Sequence, residues 1–165
     1  MDDEVLVVVE VSAARRWMGV GTLLGVGVVV LYVAFSTPPA LAWQLFLVIT
    51  GLLALWMAER MRRATEHRLE LTRAALRSSD GTTLVRIEEV EALERGLFAF
   101  KPSNGFLIRT RAPKPRGWQP GLWWRVGRRI GIGGVTSAGQ AKAMSEIMAA
   151  LLLERDGGPA AGLGG

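Results

Sequence analysis

The sequence predicts an α+β membrane protein, with a two-helix transmembrane hairpin followed by a small antiparallel β domain that a C-terminal α-helix caps. Three observations predict it. No charged residue lies between Arg16 and Glu59, and one uncharged helix of that length would reach about twice the ~30 Å thickness of the hydrocarbon layer, so two spans fit where one does not. After about Glu66 the long apolar run gives way to short alternating segments separated by turn residues, the pattern of strands. The chain then closes on an amphipathic stretch with a recognisable start and stop. Of its 165 residues 50% are hydrophobic, more than an ordinary soluble domain of this size needs.

The N-terminal segment, residues 1–16, is expected to be cytoplasmic, and its apolar run Val5–Val9 is either a free segment or a strand that returns to the domain. The first span is read over about 17–36 and the second over about 40–58. Ser36, Thr37, Pro38 and Pro39 separate them, because a residue before proline is pushed out of helical geometry while proline is tolerated in a first helical turn. Trp17 and Trp56 fall at one end of the pair and Trp43 near the other, at the headgroup levels that amphipathic rings prefer. Arg15 and Arg16 precede the first span, Arg60, Arg62, Arg63 and Arg68 follow the second, and the loop carries no charge. The positive-inside rule then puts both termini in the cytoplasm of a multi-pass inner (plasma) membrane protein. Neither a cleaved signal ending near Ala40–Ala42 nor a twin-arginine signal fits as well, since a second span follows directly and the chain starts with acidic residues. Gly21 and Gly25 have the small-xxx-small spacing of helices in close contact, with the second span of the same hairpin as the favoured partner and a dimer or foreign subunit as the others.

Residues 59–155 form the predicted cytoplasmic domain. Strands are expected over Arg68–Thr72, Thr82–Ile87, Val90–Arg95, Leu97–Phe100 and Phe106–Arg111. A proline-rich loop, Ala112–Pro120, then leads to Leu122–Val126 and Arg128–Ile132, with a hairpin around Gly127. Ser137 and Gln140 have capping-box spacing, Ile147, Met148, Leu151 and Leu152 form an apolar stripe, and Gly157 stands past the end, so a helix is expected from about Ser137 to Arg155. The Gly/Ala/Pro-rich remainder, 156–165, reads as a disordered tail.

A two-span anchor, several short strands and one C-terminal amphipathic helix together resemble the bacterial pleckstrin-homology-like (PH-like) membrane proteins. The stretch from Leu69–Thr72 through Asp80, Gly81 and Ile87 to Gly131–Val135 and the helix carries the resemblance. It implies a curved antiparallel sheet nearly closed as a β-barrel and plugged by the helix, and it implies no enzyme activity.

Chemistry is sparse. The chain has no cysteine and one histidine, His67. That excludes disulfides, thiolate nucleophiles and Cys-type zinc sites, and it leaves no catalytic constellation to nominate, so neither an enzyme nor a cofactor is expected. Charge is segregated instead: no Asp or Glu occurs between Glu94 and Glu146, while basic residues recur there. Arg109, Arg111, Arg125, Arg128 and Arg129 are therefore the candidate residues for binding anionic lipid headgroups or an acidic protein partner, against plain solvated surface as the alternative. Nucleic acid is not expected, since no recognition motif accompanies the charge. Gly131–Ser137 precedes a helix as phosphate loops do but matches neither the P-loop nor the dinucleotide fingerprint, and a sheet-to-helix connection is the simpler reading. The function expected is a membrane-anchored interaction module; the alternative is an accessory or assembly subunit of a larger membrane complex.

Overall fold

A computed structural model describes residues 4–37, 40–94 and 105–157. Strand β1 (Val5–Val9) leads into helix α1 (Ala13–Ser36), and α2 (Leu41–Ala64) returns beside it. Each helix has 24 residues, or about 36 Å at 1.5 Å per residue, and is long and apolar enough to cross a membrane. Only 17% and 11% of their apolar windows are buried inside the protein, whereas a helix at the centre of a water-soluble core is covered on most sides.

The two helices touch along small residues. Val20, Gly27 and Ala34 are the buried positions of α1, one every seven residues, the repeat that keeps a seam facing one partner. Gly51 and Ala58 continue the seam on α2. A Cβ on Gly27 would stand 2.7 Å from Leu55 and 3.2 Å from the Gly51 carbonyl oxygen, so glycine is required for the close approach. The predicted packing pair Gly21 and Gly25 is not part of it: a Cβ on either would meet nothing within 4 Å. Their spacing of four puts them on a stripe of α1 turned away from the seven-residue seam.

The domain contains two antiparallel sheets. The first has the order β1-β2-β3-β4, with β2 (Leu69–Thr72), β3 (Ala75–Ser78) and β4 (Thr83–Arg86) following α2. Val5–Val9 is thus a strand of the domain, paired with Leu69–Thr72. The second sheet has the order β5-β6-β7, formed by β5 (Val90–Glu94), β6 (Phe106–Gln119) and β7 (Trp123–Ile132). The expected barrel is not closed among the described residues, because a 3₁₀ turn, Ile87–Glu89, carries the chain from one sheet to the other in place of a β4–β5 ladder. The strand expected at Leu97–Phe100 lies outside the described residues.

Alternation explains what is buried. Leu69 and Leu71 of β2, Leu76 of β3, Ile108 of β6 and Ile130 and Ile132 of β7 point into one core with Met144 and Met148 of the last helix, α3 (Ala138–Arg155). Leu151 and Leu152 flank that core only partly buried. Ser137 is the N-cap of α3, but its side chain makes no capping bond. Gln140 turns elsewhere: its Oε1 accepts the Glu10 N–H at 2.9 Å, and the Ser137 N–H donates to the Glu10 carbonyl at 3.2 Å. The capping box expected from the spacing is replaced by a clasp between α3 and the segment before α1.

Two local expectations are corrected. The proline-rich stretch 112–120 is not a loop through most of its length, since β6 runs unbroken to Gln119. Its pairing with β5 ends at Thr110, and from there only β7 is its neighbour, so Pro113 and Pro115 fall where a strand has one free edge and an irregular register, positions that tolerate a missing N–H. Nor is there a hairpin at Gly127. That residue (φ +58°) sits opposite Lys114 at a break in register within β7, a bulge made by a left-handed glycine. The turn of the β6–β7 hairpin is at Pro120–Leu122, where Gly121 has φ +79°.

Candidate membrane-interface site

The fold cancels much of the charge asymmetry seen in the sequence, because the acidic strand β5 lies beside the basic strand β6. Arg128 Nη2 is 2.6 Å from Glu91, and Arg109 is 3.8 Å from both Glu91 and Glu94. Lys114 bonds Glu89; that bond, with the Arg86 backbone N–H, holds the Glu89 carboxyl below its ordinary pKa despite partial desolvation. Arg125 stacks on Trp123, 5.6 Å from the ring centre, and donates to the carbonyls of Pro115 and Leu84 at 2.6 and 3.0 Å. Of the five nominated arginines, Arg111 and Arg129 are exposed and make no ion pair among the described residues. Exposed pairs add little stability, but each one removes a cation from the field that the sequence suggested.

Position separates Arg111 from the foot of the helical hairpin. The start of α3 is fixed next to α1 by the Glu10 clasp, by a bridge between Val11 and Thr136, and by Arg15 donating to the Thr136 carbonyl at 3.0 Å. Its 18 residues then lead about 27 Å away. At the far end Arg155 donates to the carbonyls of Ile87 and Val90 at 2.8 and 2.7 Å. Glu89 with Lys114 belongs to that turn, and the Arg111 charge helps Arg155, the larger influence, to keep the Asp156 carboxyl below its ordinary pKa. Arg111 and Lys114 therefore lie toward the far end of α3, away from its start beside α1.

What does meet the hairpin is the β6–β7 turn. A Cβ on Gly121 would stand 3.0 Å from Val135 and 3.3 Å from Met61 of α2, and the Gly121 carbonyl accepts the Val135 N–H at 3.0 Å. The turn is braced from behind: Gln119 donates to Asp80 at 2.7 Å and accepts from the Trp123 indole at 3.0 Å. Partial burial works to raise the pKa of Asp80, but hydrogen bonds from Thr82, Gln119 and Ser78 outweigh it and leave the carboxyl lowered.

Between this turn and α2 lies an open cleft of about 320 Å³, lined by Trp56, Glu59, Arg60, Arg63, Ala64, His67 and by Trp118, Gln119 and Pro120. Trp56, Arg60 and Arg63 recur at spacings of four and three, which places them on one face of α2, and His67 follows just past the end of that helix. Arg60 lies over the Trp56 ring, 5.4 Å from its centre. Arg63 bonds Glu59 at 2.6 Å, and Glu59 is also held by Arg62 at 2.8 Å. The cleft thus has one acid shared by two arginines and a further arginine, Arg60, with no carboxylate partner among the described residues. Trp56 and Trp118 remain 52% and 44% exposed, large rings left at the mouth of a cationic cleft. The sequence showed the helical stripe as flanking arginines and a lone His67; it could not show that Trp118, some fifty positions later, would form the opposite wall.

No group of three or more His, Cys, Asp or Glu that could hold a metal ion occurs among the described residues. Compared with protein-family models, with curated proteins and with solved structures, the chain matches none.

Proposed function

We propose that the chain is a non-enzymatic, membrane-anchored interaction module. In this reading α1 and α2 cross the inner (plasma) membrane with both termini in the cytoplasm, and the β domain is held against the cytoplasmic face, where it engages anionic lipid headgroups. One observation carries it: the Gly121 turn packs on Met61, little more than one helical turn past Trp56, so the base of the domain stands where the apolar part of α2 gives way to Arg60, Arg62 and Arg63. Cations at that level lie within the reach of an anionic leaflet, each contributing on the order of 1 kcal/mol.

The experiment is hydrogen exchange on the full chain in nanodiscs of phosphatidylcholine alone and of phosphatidylcholine mixed with phosphatidylglycerol. The reading expects residues 118–121 and 12–16 to be more protected in the anionic discs, and the difference to shrink as salt screens the exposed charges. Equal protection in both discs would leave the arginines as solvated surface.

The second reading, an accessory subunit of a larger membrane complex, draws on the exposed Gly21 and Gly25, whose helix face has open space where the hairpin seam has none. Purification in mild detergent separates the two, since a subunit would remain in a stable larger assembly.

A further inference from the structure

The cleft at the foot of α2 has more definition than a general attraction to negative surfaces requires. Above Trp56 the same helical stripe continues through Leu52, Ile49 and Leu45, which are 55%, 57% and 54% exposed. From Leu45 to Trp56 the rise is about 16 Å, close to half of the ~30 Å hydrocarbon thickness and so to the depth of one leaflet. One face of α2 therefore offers, in order, an apolar track one leaflet deep, an indole ring and two guanidinium groups, and the His67 imidazole lines the same cleft just past the helix end. The Trp118 ring and Pro120 face that cationic end across the cleft. An exposed apolar track alone would contact any lipid in passing; a cationic cleft alone would suit any small phosphate. Their alignment on one stripe matches a molecule that has both parts.

The geometry points to a discrete binding site for one anionic glycerophospholipid, its phosphate between Arg60, Arg63 and Trp118 and an acyl chain along Trp56, Leu52 and Ile49. Arg60 supplies the uncommitted charge, and guanidinium groups suit phosphate oxygens because they donate in pairs. Arg63 is oriented by Glu59, which also limits the net charge of the cleft and favours a single phosphate over a polyanion. The inference rests on the proposed membrane reading, but it adds stoichiometry and an address to it.

Native mass spectrometry of the full chain released from detergent micelles tests it. With dioleoyl phosphatidylglycerol supplied, the expected result is one retained lipid per chain, with phosphatidylcholine retained at least tenfold less. Arg60→Gln and Trp118→Ala should each lower retention of phosphatidylglycerol at least tenfold while the variants keep the parent's melting temperature. Arg111→Gln, at the far end of the domain, should change nothing. Glycerol 3-phosphate, which carries the phosphate without chains, should not compete at equal concentration. Undiminished retention in both cleft variants, or competition by glycerol 3-phosphate as effective as that by the lipid, would overturn the proposal. If the anionic-disc protection described above is seen while this retention is not, the lipid contact is diffuse and only the discrete site fails; if neither is seen, the membrane-face reading fails with it.

Discussion

Gly27 and Gly51 face each other where α1 crosses α2. A Cβ built on Gly27 would lie 3.2 Å from the Gly51 carbonyl oxygen, and one built on Gly51 would lie 3.3 Å from that of Gly27. The reciprocity fixes the crossing point, because neither backbone can retreat without losing the contacts of Val20 with Ala58 on one side and of Gln44 with the Ala34 carbonyl on the other.

Gly27→Val should therefore weaken the hairpin by about 1–3 kcal/mol through overpacking, while Gly21→Ala and Gly25→Ala should leave it unchanged or slightly firmer, since alanine favours helix over glycine. Thermal unfolding of the three variants in one detergent gives the comparison. A Gly25→Ala variant as damaged as Gly27→Val would mean that the outward stripe is the true contact.

The Glu10–Gln140 clasp joins the chain before α1 to the first turn of α3. Gln140→Ala should cost about 1 kcal/mol, the ordinary worth of one hydrogen bond. The Glu10 amide should also exchange faster with solvent while the amides of β2 and β3 do not. Unchanged exchange at Glu10 would show that the Val11–Thr136 bridge holds the segment without help.

The helices were legible from the sequence because a charge-free run of that length has few alternatives, and α3 because its stripe and ends are local signals. The barrel was not. Its closure depends on whether β4 pairs with β5, and the three residues Ile87–Glu89 decide that by turning. Strand β3, Ala75–Ser78, lacks an alternating apolar run and exists because β2 and β4 flank it. The arginines were misplaced for a related reason: register, which sequence spacing does not reveal, sets Glu91 and Glu94 beside Arg109 and Arg128.

Glu89 provides a test in pH. Its carboxyl is lowered below its ordinary 4.5, first by the hydrogen bond from Lys114, so the folded state holds the proton less readily than the unfolded chain. The stability this contributes is present above about pH 4.5 and is lost as pH falls through the lower folded value. Glu89→Gln should remove that part of the acid dependence and leave the neutral-to-alkaline range flat. A variant whose melting temperature falls with acid as steeply as the parent's would assign the dependence to other carboxylates.

Met148 is fully buried between the sheets, whereas Leu151 lies at the edge of the same core. Met148→Asp should cost several kcal/mol and abolish cooperative melting, because it places a charge where no partner awaits it. Leu151→Asp, at the rim, should cost less. Near- or far-ultraviolet circular dichroism on heating distinguishes them, and equal melting of Met148→Asp and the parent would mean that α3 does not close the core.

The central claim is that the Trp118–Gly121 turn rests at the membrane surface while Arg111 stands away from it. The chain has no cysteine, so a single spin label can be introduced cleanly at Trp118→Cys or at Arg111→Cys in the full protein reconstituted into bilayers containing phosphatidylglycerol. Collision rates with membrane-dissolved oxygen and with a water-soluble nickel chelate then report depth. The account predicts a label at 118 that meets oxygen more than nickel and a label at 111 that meets nickel almost alone; equal nickel access at the two positions would contradict it.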